Sequence, residues 1–266
     1  MHFPFSPSLA DLFGPFSINA YGLMVALSIF TFVWSILKDP RRKPMISKAI
    51  FLSILYSSVI YGIIFTRIFY AAENFRYFLK NPLEIFAIWD GGLSLLGALI
   101  GVPVILIFKL RQLKIHTIKF FDLSSTHLPL IIGISRLGCF WAGCCHGAVA
   151  AGKTFFSVIY THPESLAPTW IPLYPTQIYS ALSSLAIFAF LYIIARITKI
   201  DGLITSLFFA LEGLERFAMD FLRGDRSPAV FMGISWYQSL ALLISFLGFF
   251  GVVYSILKCI QSRSCQ

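Results

Sequence analysis

The sequence predicts an all-α, polytopic membrane protein with seven transmembrane helices, its N-terminus outside and its C-terminus cytoplasmic. Three observations lead there. First, 58% of the 266 residues are hydrophobic and only 12% are charged. A soluble domain carries roughly 45–50% apolar and about 25% charged residues. Second, seven apolar stretches can each cross a hydrocarbon core of about 30 Å, which takes about 20 helical residues. Third, the basic residues fall on alternate connections, as membrane insertion requires.

The stretches lie near 16–37, 49–72, 90–108, 121–144, 175–195, 202–222 and 233–257. They are too long and too evenly apolar for barrel strands, and a membrane leaves no backbone group unpaired, so each is read as a helix. Lys38, Arg41, Arg42, Lys43 and Lys48 follow the first. Lys109, Arg111, Lys114 and Lys119 follow the third, and Arg196 and Lys199 follow the fifth. With Lys258 and Arg263 after the seventh, 13 of the 21 basic residues lie on one side. The positive-inside rule makes that side the cytoplasm. The net charge of +9 would point to nucleic acid in a soluble protein. Here the charge is explained by topology, and no nucleic-acid partner is expected.

No cleavable signal peptide is expected, because MHFPFSPSLADLFGPF lacks a basic n-region and a compact apolar core. One domain is expected over 1–266, with no repeat or soluble linker. The longest outer connection is about 146–174. The outer segment ENFRYFLKNPLEIF is expected at the membrane interface, with Phe75, Phe78, Leu79 and Leu83 toward lipid.

Four arginines, Arg67, Arg136, Arg216 and Arg223, lie within or at the outer ends of spans two, four and six. A charge at mid-bilayer costs about 2.5–3.5 kcal/mol on the gentlest scale, so they need partners. Glu73, Asp90, Glu212, Glu215, Asp220 and Asp225 lie at comparable depth. One reading is a set of buried ion pairs and snorkelling side chains. The other is a lipid phosphate, which a guanidinium bonds through two parallel donors. Arg216 and Asp220 are four apart and share one helix face, with Arg223 on the same stripe. Gly97 and Gly101 form a GxxxG, the usual close-packing signal between membrane helices.

Cys139, Cys144 and Cys145 cluster at the end of span four in ISRLGCFWAGCCHG. Packing is the default reading, and a thiol role is the alternative. No metal is expected, because zinc sites usually pair one C-x₂₋₄-C element with a second half elsewhere. Cys259 and Cys265, in the cytoplasmic tail, are expected to be reduced.

Six elements then resemble one family, in order and over nearly the whole chain. Tyr21-Gly22-Leu23 matches an N-terminal element. RIFYAAENFRYFLKNPLEIFAIWDGGLSLLGALIG resembles the segment from second to third span. SRLGCFWAGCCHG aligns without gaps on the signature GRIGNFxNGExxG. YPTQIYSAL, ERFAMDFLRGD and SWYQSL resemble three later elements. The family is prolipoprotein diacylglyceryl transferase.

The resemblance implies a multi-pass enzyme of the bacterial inner membrane. It implies transfer of the diacylglyceryl group of phosphatidylglycerol to the lipobox cysteine of a prolipoprotein, without a cofactor, as the first step of lipoprotein maturation. The expected partners are phosphatidylglycerol, prolipoprotein signal peptides and membrane lipids. Arg136, Arg216 and His146 are the expected catalytic residues. Arg136, Tyr21, Gly97, Asp220 and Arg223 are the expected phosphatidylglycerol contacts. A family histidine falls at Leu96, and family glutamates at Cys144, Ser180 and (as Asp) Asp220. The signature asparagines fall at Cys139 and Ala142. His146 is the candidate replacement base. The alternatives are a divergent paralogue with another acceptor, or a non-catalytic phospholipid-binding protein on the same scaffold.

Overall fold

The computed structural model describes residues 2–13, 16–87, 92, 94–151, 157–226, 229–231 and 233–262. Asp90, Gly91, Lys153, Arg263 and Cys265 lie outside them, and the side chain of Leu96 is likewise not described. Long helices occupy all seven expected stretches. They are α1 (Ala20–Lys38), α2 (Lys48–Glu73), α4 (Leu95–Gln112), α5 (Thr117–Ala142), α6 (Thr176–Ile197), α7 (Leu203–Asp220) and α8 (Trp236–Ser262). A short α3 (Phe75–Lys80) and a 3₁₀ turn (Pro82–Phe86) follow α2.

The chain is a mainly helical, multi-pass membrane protein. Four helices, α1, α2, α6 and α8, are long and apolar enough to cross a membrane by length and composition. Their surfaces carry Phe30 and Phe246, 66% and 70% exposed, which suits lipid and not water. Pro103 and Pro129 sit inside α4 and α5, as membrane helices tolerate.

Two compact units form, one from 1–38 with 121–266 and the other from 39–120. In the second, α4 packs on α2 through the expected GxxxG. A Cβ on Gly97 would stand 2.6 Å from the Phe65 carbonyl oxygen, and one on Gly101 would stand 2.4 Å from the Phe65 side chain. Arg67 is a structural clamp in this unit. Its Nε donates to the Ile85 carbonyl at 2.9 Å, Nη1 to Gly92 at 2.9 Å, and Nη2 to Glu84 and Ala87 at 2.6 and 3.0 Å. These bonds tie the loop after α3 to α2. Glu73 accepts from Ser94 and pairs with no arginine among the described residues. Along the segment 75–86, Phe75, Leu79 and Leu83 are exposed. Phe78 is only half-buried and lies 5.5 Å from the Arg67 guanidinium.

In the first unit, α7 and α8 meet closely. Gly213 faces the α8 backbone at Ala241 and Ser245, and Gly248 faces the α7 backbone at Ala210. Two polar side chains of α5, Asp122 and His127, are satisfied here. Asp122 accepts from the Gly202 and Thr205 amides at 2.6 and 2.9 Å. It thereby caps α7, whose own N-cap is a glycine. His127 is fully buried, with Nδ1 2.8 Å from the Ser35 hydroxyl.

The connection between α5 and α6 is more ordered than its composition predicts. Its strand β2 (Val158–Tyr160) pairs in parallel with β1 (His2–Phe3) and antiparallel with β3 (Pro172–Leu173). Phe3, Val158, Tyr160, Ala167 and Leu173 form a buried cluster packed against Phe140 and Trp141 at the end of α5. Burial pushes the Tyr160 phenol above its ordinary pKa, so it stays a donor, to the Phe140 carbonyl at 2.8 Å. Cys259 is disulfide-bonded. The reduced thiol expected there rested on compartment alone, which says nothing of local geometry.

Candidate functional site

At the C-terminal end of α5 the backbone reverses. Gly143 takes a left-handed conformation (φ 81°) and so does Cys145 (φ 58°). The first suits glycine. The second is uncommon for a side chain with a Cβ and persists only where its surroundings hold it. They do so here. Gln177 Nε2 donates to the Cys144 carbonyl at 2.8 Å, and Thr176 Oγ1 to the Cys145 carbonyl at 2.8 Å. The Gly147 amide donates to Tyr174, and the Gly224 amide to the His146 carbonyl. The signature loop is thus pinned by the start of α6 and by the segment after α7.

The reversal builds a small pocket between α5, α6 and α7. Three guanidiniums line it, those of Arg136, Arg216 and Arg223, together with Cys145, Gln177 and Ser180. Their pairings differ. Arg216 meets Asp220 at 3.4 Å. Arg223 is bidentate on Asp225, both bonds 2.8 Å. Arg136 makes no hydrogen bond or ion pair among the described residues. It is therefore the guanidinium with open donors, in a half-buried site that already concentrates positive charge. Such a site favours an oxyanion.

Asp220 is buried, 3% exposed. It accepts from Ser235 Oγ at 2.9 Å and lies 3.5 Å from Arg226 Nε. Asp220 thus sets the position of Arg216 and does not itself line the pocket. Glu215 accepts from Ser180 at 2.6 Å and from Ser183 at 3.1 Å. Gln177 is 1% exposed, and its Oε1 has no hydrogen-bond partner among the described residues.

The other expected site residues are placed as follows. Tyr21 is 46% exposed on α1, where its backbone crosses α5 at Gly138. His146 is not among the pocket's lining residues, and its Nδ1 lies 3.0 Å from the Gly147 carbonyl. Gly97 belongs to the second unit and serves the α2–α4 contact. The sulfurs of Cys139, Cys144 and Cys145 all lie within 4.8 Å of one another. They are free thiols, and Cys139 is buried. Sequence reasoning did not single out Thr176 and Gln177. Their signal was position: polar side chains at the very start of an apolar helix, next to the signature loop.

The family model of prolipoprotein diacylglyceryl transferase matches residues 7–254. The phosphatidylglycerol–prolipoprotein diacylglyceryl transferase of Clostridium tetani is 31% identical, over 92% of this chain and 95% of its own length. A second such protein, from Clostridium perfringens, is 31% identical over 89% of this chain and 91% of its own. That of Cronobacter sakazakii is 30% identical over 91% and 88%.

Proposed function

The chain belongs to the prolipoprotein diacylglyceryl transferase family, and from that premise we propose that it moves the diacylglyceryl group of phosphatidylglycerol onto the lipobox cysteine of a prolipoprotein. A thioether forms and glycerol phosphate leaves. The observation that carries this reading is the trio of arginines around one pocket, with Arg136 unpaired among the described residues. Arg136 holds the lipid phosphate. Arg216, oriented by Asp220, meets the charge that grows on the leaving phosphate. Arg223 adds to the field. The membrane holds the donor's acyl chains and the acceptor's signal peptide, so both substrates reach the site already oriented.

The same reading places the enzyme in the bacterial inner membrane as a single family domain. It has seven spans, the N-terminus outside and the C-terminus in the cytoplasm. Seven long helices at the expected stretches support it. So does the family match across both units.

A non-catalytic phospholipid-binding role is the second reading. It is favoured by Leu96, Cys144 and Ser180, which stand where the resemblance expects a histidine and two glutamates. Expression in cells depleted of their own transferase separates the two. Lipidated lipoprotein, seen as a mass gain on its N-terminal cysteine, is the expected result. Well-expressed protein that binds phosphatidylglycerol yet yields no lipidation would sink the transferase reading.

A further inference from the structure

We propose that Cys139, Cys144 and Cys145 form a three-thiolate site for Zn²⁺, with a fourth position open to the acceptor's cysteine thiol. This inference rests on the transferase reading for its chemistry but not for its metal.

The geometry comes first. The three sulfurs lie within 4.8 Å of one another. Thiolates around a tetrahedral zinc at about 2.3 Å stand about 3.8 Å apart, so small side-chain rotations close the site. Sequence spacing spoke against a metal because a second cysteine pair is missing. The structure removes that objection. Gly143 and Cys145 turn the chain back on itself, so that neighbouring cysteines and one on the helix converge from a single segment. The turn carries backbone strain at Cys145, and two α6 side chains hold the carbonyls of Cys144 and Cys145. Packing alone asks for neither. All three thiols are free.

The surroundings fit as well. Three thiolates and Zn²⁺ sum to −1, and a fourth thiolate makes −2. Cys145 shares its pocket with Arg136, Arg216 and Arg223, whose charge offsets that sum. Three protein ligands with one open position is the pattern of reactive, not structural, zinc.

The chemistry fills a gap. The reaction needs a thiolate, and the residues expected at positions 96 and 144 to help make one are Leu and Cys. A thiol that binds zinc loses its proton outright, here to water. The resulting thiolate attacks the glyceryl carbon that carries the phosphate ester. The C–S bond forms as the C–O bond breaks. The electron pair goes to the phosphate oxygen, and glycerol phosphate leaves against Arg136.

The test uses the full chain purified in detergent without chelators. Elemental analysis should find about one zinc per chain. Protein stripped of metal and titrated with Co²⁺ should show sulfur-to-cobalt charge-transfer bands. Cys139→Ser and Cys145→Ser should each weaken metal binding at least tenfold, whereas Arg136→Ala should retain it. A lipobox peptide should shift the cobalt spectrum, and its Cys→Ala version should not. Wild-type protein with three alkylatable thiols, no zinc and no cobalt bands overturns the site, whether or not the serine variants fold. So does a disulfide among these cysteines recovered by mass spectrometry. Lipidation by metal-free protein overturns the zinc and leaves the transferase standing. Bound zinc without lipidation leaves the site standing and counts against the transferase.

Discussion

The Ser180 hydroxyl of α6 donates a 2.6 Å hydrogen bond to the Glu215 carboxylate of α7. Position 180 is where the resemblance expects a glutamate. The carboxylate is therefore present, but it arrives from the neighbouring helix. Glu215→Ala should lower lipidation about tenfold or more, because a hydrogen bond to a charged group is worth about 1.5–3 kcal/mol. The exchange Ser180→Glu with Glu215→Ser should recover most of it. A double variant no better than Glu215→Ala would show that the two positions are not equivalent.

Arg136 and Arg216 should respond differently to substitution. Arg136 has no protein partner among the described residues, so Arg136→Ala should abolish transfer with little change in melting temperature. Arg136→Lys should recover only part of the activity, since one ammonium does not replace a planar fork. Arg216→Ala should also abolish transfer but leaves the buried Asp220 short of a partner. A lower melting midpoint is expected for it, and detergent melts alongside lipidation rates make the comparison.

Arg67 has a structural task. Removing it leaves four loop carbonyls without their donor, at about 1–3 kcal/mol for each group that stays buried. Arg67→Ala should lower the melting midpoint by about 5 °C or more and reduce folded yield. A variant as stable as the parent would remove this role.

Gln177 offers a buried acceptor at the pocket wall. A headgroup hydroxyl is the donor that suits it. Gln177→Leu should weaken binding of phosphatidylglycerol about tenfold and leave binding of a headgroup without hydroxyls unchanged. Equal losses for both lipids would assign Gln177 to the loop alone, through its bond to Cys144.

Composition and the spacing of apolar runs were enough to predict a mainly helical membrane protein, because lipid forces long, uniform segments and internal backbone bonding. The GxxxG contact was legible for a related reason: close approach demands small residues at a fixed period. Arg136 stood out as a charge in an apolar segment. Its partners did not. Whether an arginine is clamped, like Arg67 on loop carbonyls, paired, like Arg223 on Asp225, or without a partner among the described residues, like Arg136, depends on which backbone and side chains fold against it, and such contacts have no sequence period. The Glu215–Ser180 bond and the convergence of Cys139, Cys144 and Cys145 belong to the same class. They arise where a left-handed turn and two neighbouring helices bring residues together, and only the packed chain decides that.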